Sequence, residues 1–467
     1  MPRLQMGDPP QPAAPGPHGD WTHGSLEELN RDPLGTLLQA AETYGDVVRF
    51  RLGPKPAHLV IHLVRHPDHI HHVLQENAAN YPKAFTYRPI QEMVGNGLVT
   101  SDGDLWKRQR RLIQPMFHRQ QIALFATTMN QACRDMAVRW HALARQQDNI
   151  DISAEMLALT LDIVGRALFS SDIGARAPQV QPALKILLEE ALARTQSVIV
   201  LLPKEIDKLE LTEDQAWTEA HATMDELVNS MIAERHAAGV PTDGEATDLL
   251  AMLLAARDED GAAMSDQQVH DEIMTFLVAG HETTASALAW SWYLLAQHLD
   301  VAARVRAELK AALSDREPSA EDIASLPLTS AVIHEAVRLF PPGWAIERDA
   351  LADDEIGGYR IPAGTTIMLS PYVSHRHPGF WAEPDKFKPE RFLPENEPNL
   401  RQAPYFPFGA GQRKCIGSDF AIFEATLVIA NLAREFEVVV PPGTKVEAEP
   451  TITLRPKRGI DAWVRRL

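Results

Sequence analysis

Ten residues near the C-terminal end constrain this chain more than any other stretch: Phe408-Gly409-Ala410-Gly411-Gln412-Arg413-Lys414-Cys415-Ile416-Gly417, followed by an apolar helical pattern. They place one thiol in a glycine-bearing loop at the start of a helix. Glycine permits backbone conformations and close approaches that other residues resist. A cysteine at a helix N-terminus gains from the helix dipole, which favours thiolate over thiol. Nearby amides can donate to a metal-bound sulfur and adjust its basicity. Cys133 is the one other cysteine, so no Cys-x-x-Cys spacing exists for a zinc ribbon or a redox dithiol. Counting alone leaves a disulfide between the two open. A single cysteine in a loop also reads as a buried structural thiol.

Composition narrows the setting. The chain has 467 residues, 45% hydrophobic and 23% charged, an ordinary globular balance with ample material for a core. Lys plus Arg number 45 against 63 Asp plus Glu, a net charge of -18. That balance argues against nucleic-acid binding, which leans on basic patches. Two cysteines fit a reducing cytoplasm. Residues 1–20 carry six prolines and no apolar run. A signal peptide needs roughly 7–15 apolar residues, and a membrane anchor about 20. The segment is expected to be a disordered leader, the protein to be cytoplasmic, and no transmembrane anchor is expected.

Helical periodicity dominates the remainder of the chain. Residues 47–52 and 57–64 read as a pair of strands, with Pro54 and Pro56 between them. Helical stretches are expected near 67–76, 106–118, 122–146, 151–169, 181–198 and 214–237. Asp266 could cap a long apolar helix running to about Leu299. Another helix, 329–340, stops at Pro341-Pro342. Short strands are expected near 355–360 and 366–369, then a Pro- and aromatic-rich loop over 377–412 and a last long helix after Gly417. Repeats and linkers are absent from the pattern, so a single helix-rich domain over 21–467 is expected.

The loop Phe408-x-x-Gly411-x-Arg413-x-Cys415-x-Gly417 resembles the haem-binding loop of the cytochrome P450 family at every defining position. Further motifs of that family recur in family order over about residues 30–460. The resemblance implies a mainly α chain with the cytochrome P450 fold, a large helical domain with a small β-sheet region. It implies haem b (iron protoporphyrin IX) with an axial thiolate from Cys415, Phe408 beside the sulfur and Arg413 on a haem propionate. Trp106 and Arg110, in Trp106-Lys107-Arg108-Gln109-Arg110-Arg111, would bind a propionate, as would Arg348. Glu335-Ala336-Val337-Arg338 and Pro389-Glu390-Arg391-Phe392 match the family's Glu-x-x-Arg helix and its downstream arginine. Glu335, Arg338 and Arg391 would form a buried network whose role is structural. Ala279-Gly280-His281-Glu282-Thr283-Thr284 resembles the family's distal-side motif, with Thr283 and Glu282 as catalytic residues that organise proton delivery. Gly280 costs a helix about 1 kcal/mol relative to Ala, and threonines bonding back to carbonyls bend it, so a locally opened helix is expected there. His281 and Cys133 read as structural.

Family position suggests a pocket lined by Met93, Val94, Val99, Ala279, Ala345, Ile346 and Leu454, apolar and mostly small, which implies a hydrophobic substrate. Core packing explains each of them singly as well. Lys107, Arg108, Arg111 and Lys414 would form a basic patch that steers an acidic electron donor. Pro341-Pro342-Gly343-Trp344 and Leu369-Ser370-Pro371-Tyr372-Val373 look like bacterial members acting on carotenoids, terpenoids or fatty acids. The expected activity is insertion of one oxygen atom from O2 into an apolar small molecule, terpenoid, carotenoid, fatty acid or polyketide-like. Electrons would come from a separate ferredoxin and reductase. A peroxygenase, a non-redox haem-thiolate isomerase or dehydratase, and a haem-binding sensor stand as alternatives. Glu282-Thr283 argues against the first, and the others would not need Thr283.

Overall fold

The computed structural model describes residues 12–54, 59–170, 173–196, 215–239, 248–400 and 402–467. Two separate apolar cores organise them, one in each of two compact units. The first unit comprises Met1–Phe85, Ala345–Pro384 and Gln402–Arg413, and the second Thr86–Trp344, Asp385–Arg401 and Lys414–Leu467. Each unit is assembled from three separated segments. No single cut divides them, so a chain expected as one domain carries no linker.

The first unit is built on a four-stranded sheet. Strands β1 (Val47–Leu52), β2 (Leu59–Val64), β3 (Ile346–Asp349) and β4 (Thr366–Leu369) lie in the order β1-β2-β4-β3. β1 and β2 are antiparallel with Val47 opposite Val64, β2 and β4 parallel with Ile61 opposite Thr366, and β3 and β4 antiparallel with Ile346 opposite Leu369. Their β-branched residues suit a pleated surface. Val47, Val64, Ile367 and Leu369 bury the face that forms the smaller core. The start of the expected 57–64 strand, residues 57–58, lies outside the described residues.

Three expectations change here. Residues 1–11 of the proline-rich leader lie outside the described residues, but residues 14–17 are buried or half-buried against the sheet. The Pro15 carbonyl accepts from the Arg49 amide at 2.8 Å, and Ala14 is buried. Prolines suit that place because they can accept from a strand edge and bring no donor to satisfy. Second, the strand expected over 355–360 is a small hairpin, Asp354–Ile356 against Tyr359–Ile361. Gly357 and Gly358 make its turn with φ of 61° and 80°, the left-handed pair a two-residue hairpin needs. Third, the 67–76 helix is α-helical over Pro67–His71 and widens to a π-helical turn over His72–Glu76.

The second unit is helical, and seven of its helices position the functional side chains. They are α1 (Gly103–Ile113), α2 (Ile152–Phe169), α3 (Ile173–Gln196), α4 (Gln215–Ala238), α5 (Asp266–Gln297), α6 (Pro327–Leu339) and α7 (Ser418–Leu432). α3 starts before the expected 181 although the chain carries Pro178 and Pro182 inside the helix, and residues 197–198 lie outside the described residues. α5 is buried on most sides, as its apolar sequence requires. Its cap is Ser265 rather than Asp266. The Ser265 hydroxyl accepts from the Gln268 amide at 3.2 Å, and Gln268 Oε1 accepts from the Ser265 amide at 3.2 Å, a reciprocal capping box. Asp266 is the first helical residue, where its charge suits the dipole. The helix ends at Gln297, and a separate amphipathic helix, Leu299–Leu313, begins after a break at His298. Two short strands, β5 (Ala448–Pro450) and β6 (Leu454–Pro456), pair as a hairpin with Arg455 opposite Glu449.

Candidate functional site

The cysteine loop is shaped by its glycines. Gly409 and Gly411 have φ of 68° and 66°, a region that L side chains avoid. A Cβ at Gly411 would lie 2.1 Å from the Leu74 carbonyl oxygen, so the backbone itself forbids a side chain there. Residues Gly411–Arg413 then form a 3-10 turn. Phe408 and Arg413 are half-buried in this unit. So is most of β3, where Arg348 is buried with its Nη1 donating to the Glu347 carbonyl at 2.7 Å. No described carboxylate lies within ion-pair reach of the Arg348 guanidinium, which leaves it to neutralise an anion from elsewhere.

Past Arg413 the chain enters the second unit, where Cys415 precedes the α7 cap, Gly417. Cys415 keeps exposed surface, while the protein packed around it raises its thiol pKa. The Gly417 amide, Arg110 and Lys414 oppose that shift. A cation bound at the sulfur would reverse the balance outright. A Cβ at Gly417 would sit 3.9 Å from the sulfur, so the residue leaves the thiol approachable. From α1, Trp106 is buried, and Arg110 is half-buried with Nη1 donating to the Lys414 carbonyl at 3.1 Å. A thiol with a backbone amide and a guanidinium beside it, on a residue that keeps exposed surface, fits a metal-bearing dicarboxylate such as haem. Cys133 differs in its exposure. It is buried at 1% exposure, and burial pushes its thiol up. Both cysteines are unpaired.

The expected basic patch is largely neutralised. Lys107 Nζ lies 3.0 Å from Asp104, Arg108 Nε 2.6 Å from Asp258, and Arg111 pairs with Glu259. The acids at 258 and 259 come from the segment before α5, far away in sequence.

Behind the cysteine helix, α6 holds a closed network. Glu335 and Arg338 are both fully buried. Arg338 donates from Nε to Glu335 Oε2 at 2.7 Å and from Nη2 to Oε1 at 2.8 Å. The Lys388 amide and Arg391 Nε add donors to Oε1 at 2.8 and 3.3 Å. The structure thus brings Glu335, Arg338 and Arg391 together, with a backbone amide that the sequence could not name.

α5 carries the remaining chemistry on two different faces. Its surface is buried from Asp271 to Leu277 and again from Thr284 to Trp292, and opens between them at Val278, Ala279, Gly280 and Thr283. The helix is continuous through this stretch, in contrast to the expected opening. Instead, hydroxyls and an imidazole reach its carbonyls. Thr283 donates to Ala279 at 2.8 Å, Thr284 to Gly280 at 3.2 Å, Thr160 of α2 to His281 at 3.0 Å, and His281 Nδ1 to Leu277. Burial lowers the His281 pKa to about 4, so the ring is neutral and structural. A Cβ at Gly280 would approach Val164 of α2 to 3.3 Å, a tight contact that the glycine avoids.

Glu282 turns away from the open face. It is 7% exposed, and its Oε1 accepts from the Thr453 hydroxyl at 3.0 Å. Arg455 Nη1 stands 4.0 Å from the same oxygen. Burial raises the Glu282 pKa despite both partners. Sequence reasoning missed Thr453 and Arg455. Their one local signal is strand alternation, which puts residues 453 and 455 on one side of the chain.

The expected pocket residues divide. Met93, Val94 and Leu454 are fully interior at 1%, 3% and 0% exposure, while Val99 and Ala279 are half-buried. In the first unit Ala345 and Ile346 are half-buried. A cavity of about 300 Å³ between α4 and the start of α5 is lined by Ile232, His236, Asp266 and His270, and contains none of them.

Known proteins share this geometry. The family sequence model described as Cytochrome P450 matches residues 14–461. The chain is 40% identical to cyclooctatin synthase of Streptomyces melanosporofaciens, covering 91% of this chain and 90% of that protein. It is 35% identical to cyclooctat-9-en-7-ol 5-monooxygenase of the same organism, covering 93% and 94%. Pentalenene oxygenase of Streptomyces avermitilis is 32% identical, with 93% of each chain covered. The crystal structure of the cytochrome P450DA heme domain superposes with a TM-score of 0.86 at 27% identity, covering 98% of this chain and 99% of that one. Among the described residues no helix is long and apolar enough to cross a membrane. With motif order, fold and near-complete coverage all in agreement, the chain belongs to the cytochrome P450 family and is a haem-thiolate monooxygenase, its haem iron ligated by a cysteine.

Proposed function

We propose that this monooxygenase inserts one oxygen atom from dioxygen into an apolar terpenoid, by hydroxylation or epoxidation, in the cytoplasm. Its electrons come from a separate ferredoxin and reductase. The observation that carries the reading is the open patch on α5, where Ala279, Gly280 and Thr283 interrupt an otherwise buried helix. The patch is apolar apart from one hydroxyl, which suits a hydrocarbon skeleton. Relatives named for cyclooctat-9-en-7-ol and for pentalenene support the terpenoid class.

Bound haem supplies the activation of dioxygen. The chain's own residues then have distinct tasks. Cys415 ligates the iron, chosen over Cys133 because its sulfur is accessible. By family resemblance Phe408 would serve the thiolate side of the haem, and Trp106, Arg110, Arg348 and Arg413 would serve its propionates, with donors that a carboxylate accepts well. Glu335, Arg338 and Arg391 fix the backbone beneath the cysteine loop. Thr283 spends its proton on the Ala279 carbonyl, so its oxygen is oriented as an acceptor for a water or a substrate hydroxyl. Glu282 exchanges protons with solvent on the hairpin side. Within the helical unit Val99 and Ala279 keep apolar surface for a substrate while Met93, Val94 and Leu454 are interior, and within the sheet unit Ala345 and Ile346 keep apolar surface.

A panel of cyclic terpene hydrocarbons and monoalcohols tests the substrate class through the low- to high-spin shift of the haem spectrum, with fatty acids as the contrasting arm. A shift with fatty acids alone overturns the terpenoid reading. Thr283→Ala should divert electrons to peroxide, and unchanged coupling would refute its role. Cys415→Ser should fold yet lose the red-shifted band of the reduced carbon monoxide complex.

A further inference from the structure

We infer that Arg455 is a positioning residue for Glu282: one guanidinium shared among three carboxylates holds the buried acid at the edge of solvent and ties it to helix α3. The inference rests on the reading that Glu282 handles protons. Thr453 and Arg455 lie two residues apart where β6 begins, so both reach the same side. Thr453 donates to Glu282 Oε1 at 3.0 Å, and Arg455 Nη1 stands 4.0 Å from that atom. Arg455 is not reserved for Glu282. Its Nε is 3.1 Å from Glu449 on β5, and its Nη2 is 3.8 Å from Glu189 on α3. Glu189 also has Lys185 at 3.9 Å, a second cation that weakens its hold on Arg455.

The hairpin that presents these groups is pinned. The Leu454 amide donates to the Pro342 carbonyl at 2.9 Å, and Trp344 Nε1 donates to the Thr451 carbonyl at 2.8 Å. Trp290 of α5 reaches the Leu454 carbonyl at 3.4 Å. With the backbone fixed, the movable part is the arginine side chain, 30% exposed against 10% for the Glu282 side chain. Arg455 therefore stands on the solvent side of the acid. His281 offers no competing charge, because its ring is neutral and turned to the Leu277 carbonyl. When Arg455 leans to Glu282 it favours the carboxylate, and when Glu449 and Glu189 draw it away the buried acid takes up a proton.

The test is infrared titration of the ferric holoenzyme. The carbonyl stretch that Glu282→Gln removes reports the protonated acid. In Arg455→Gln its midpoint should rise by about one pH unit, since an opposite charge at this range lowers a carboxyl by about that much or more. In Glu449→Gln it should fall, because Arg455 is freed to close on Glu282. Arg455→Lys should lie between wild type and Arg455→Gln. A midpoint unmoved by Arg455→Gln, or moved in the same direction by Arg455→Gln and Glu449→Gln, overturns the inference. Peroxide release by Glu282→Gln tests the underlying reading separately. If release stays at the wild-type level while the midpoints move as expected, the proton role of Glu282 falls and the coupling to Arg455 stands.

Discussion

Glu335→Gln should destabilise the protein far more than Arg391→Gln, although both remove one charge from the same network. Glu335 Oε1 accepts from Arg338 Nη2, the Lys388 amide and Arg391 Nε, while Oε2 accepts from Arg338 Nε. Glutamine keeps one oxygen. Its amide NH2 must face either the guanidinium or a backbone amide, donor against donor. Arg338, at 0% exposure, then loses the carboxylate that it holds through two hydrogen bonds. Breaking a buried ion pair by removing one partner costs about 3–5 kcal/mol. Arg391 is 14% exposed and reaches Glu335 Oε1 at 3.3 Å, and its loss leaves the bidentate Glu335–Arg338 pair intact. About 1 kcal/mol is expected for it. The double variant Glu335→Gln/Arg338→Met removes the buried cation as well and should recover at least about 1 kcal/mol of the single loss. Guanidinium unfolding of haem-loaded protein, monitored by far-UV circular dichroism, reads these differences as midpoint shifts at constant slope. A Glu335→Gln loss no larger than that of Arg391→Gln, or a double variant worse than the sum of its parts, would refute the argument.

Other outcomes depend on single groups. Asp271 and Asp225, at 3.5 and 3.1 Å, raise the His270 pKa above its ordinary 6.5. Its contribution to stability is complete below about pH 6.5 and is lost as pH rises through the higher folded value. His270→Asn should flatten that part of the pH–stability curve, and an unaltered slope would exclude the pairing. Gly411→Ala must place its Cβ 2.1 Å from the Leu74 carbonyl oxygen at a φ of 66°. The left-handed conformation alone costs roughly 1–2 kcal/mol, so a clear drop in thermal midpoint and in haem retention is expected, and a neutral result would contradict the close approach. Glu424 is fully buried on α7, neither of its carboxyl oxygens has a hydrogen-bond partner, and burial raises its pKa well above the usual range. The native state therefore binds the extra proton, and stability falls as pH climbs from about 4.5 toward the folded value. Glu424→Met should stabilise at neutral pH by about 1–3 kcal/mol, and a lower unfolding midpoint would sink the idea.

What the sequence disclosed and what it hid divide along the distance between partners. The Cys415 loop was legible because its parts are contiguous: glycines, arginine, thiol and helix start fall within ten residues. Glu335 and Arg338 were legible because three residues along a helix bring side chains onto one face. The basic patch misled because its acids, Asp258 and Glu259, lie about 150 residues from Arg108 and Arg111, and nothing local predicts such a pairing. The strands around Gly357-Gly358 merged into one expected strand because the turn is only two residues long. Glu282 shows the same division inside one residue. Its place in Ala279–Thr284 marks it, by resemblance, as the expected proton-handling acid, yet whether it holds its proton depends on burial, on a threonine 171 residues downstream and on an arginine two residues beyond that. The ionisation of the acid therefore cannot be read from the motif, since the hairpin side chains that bear on it lie outside the motif.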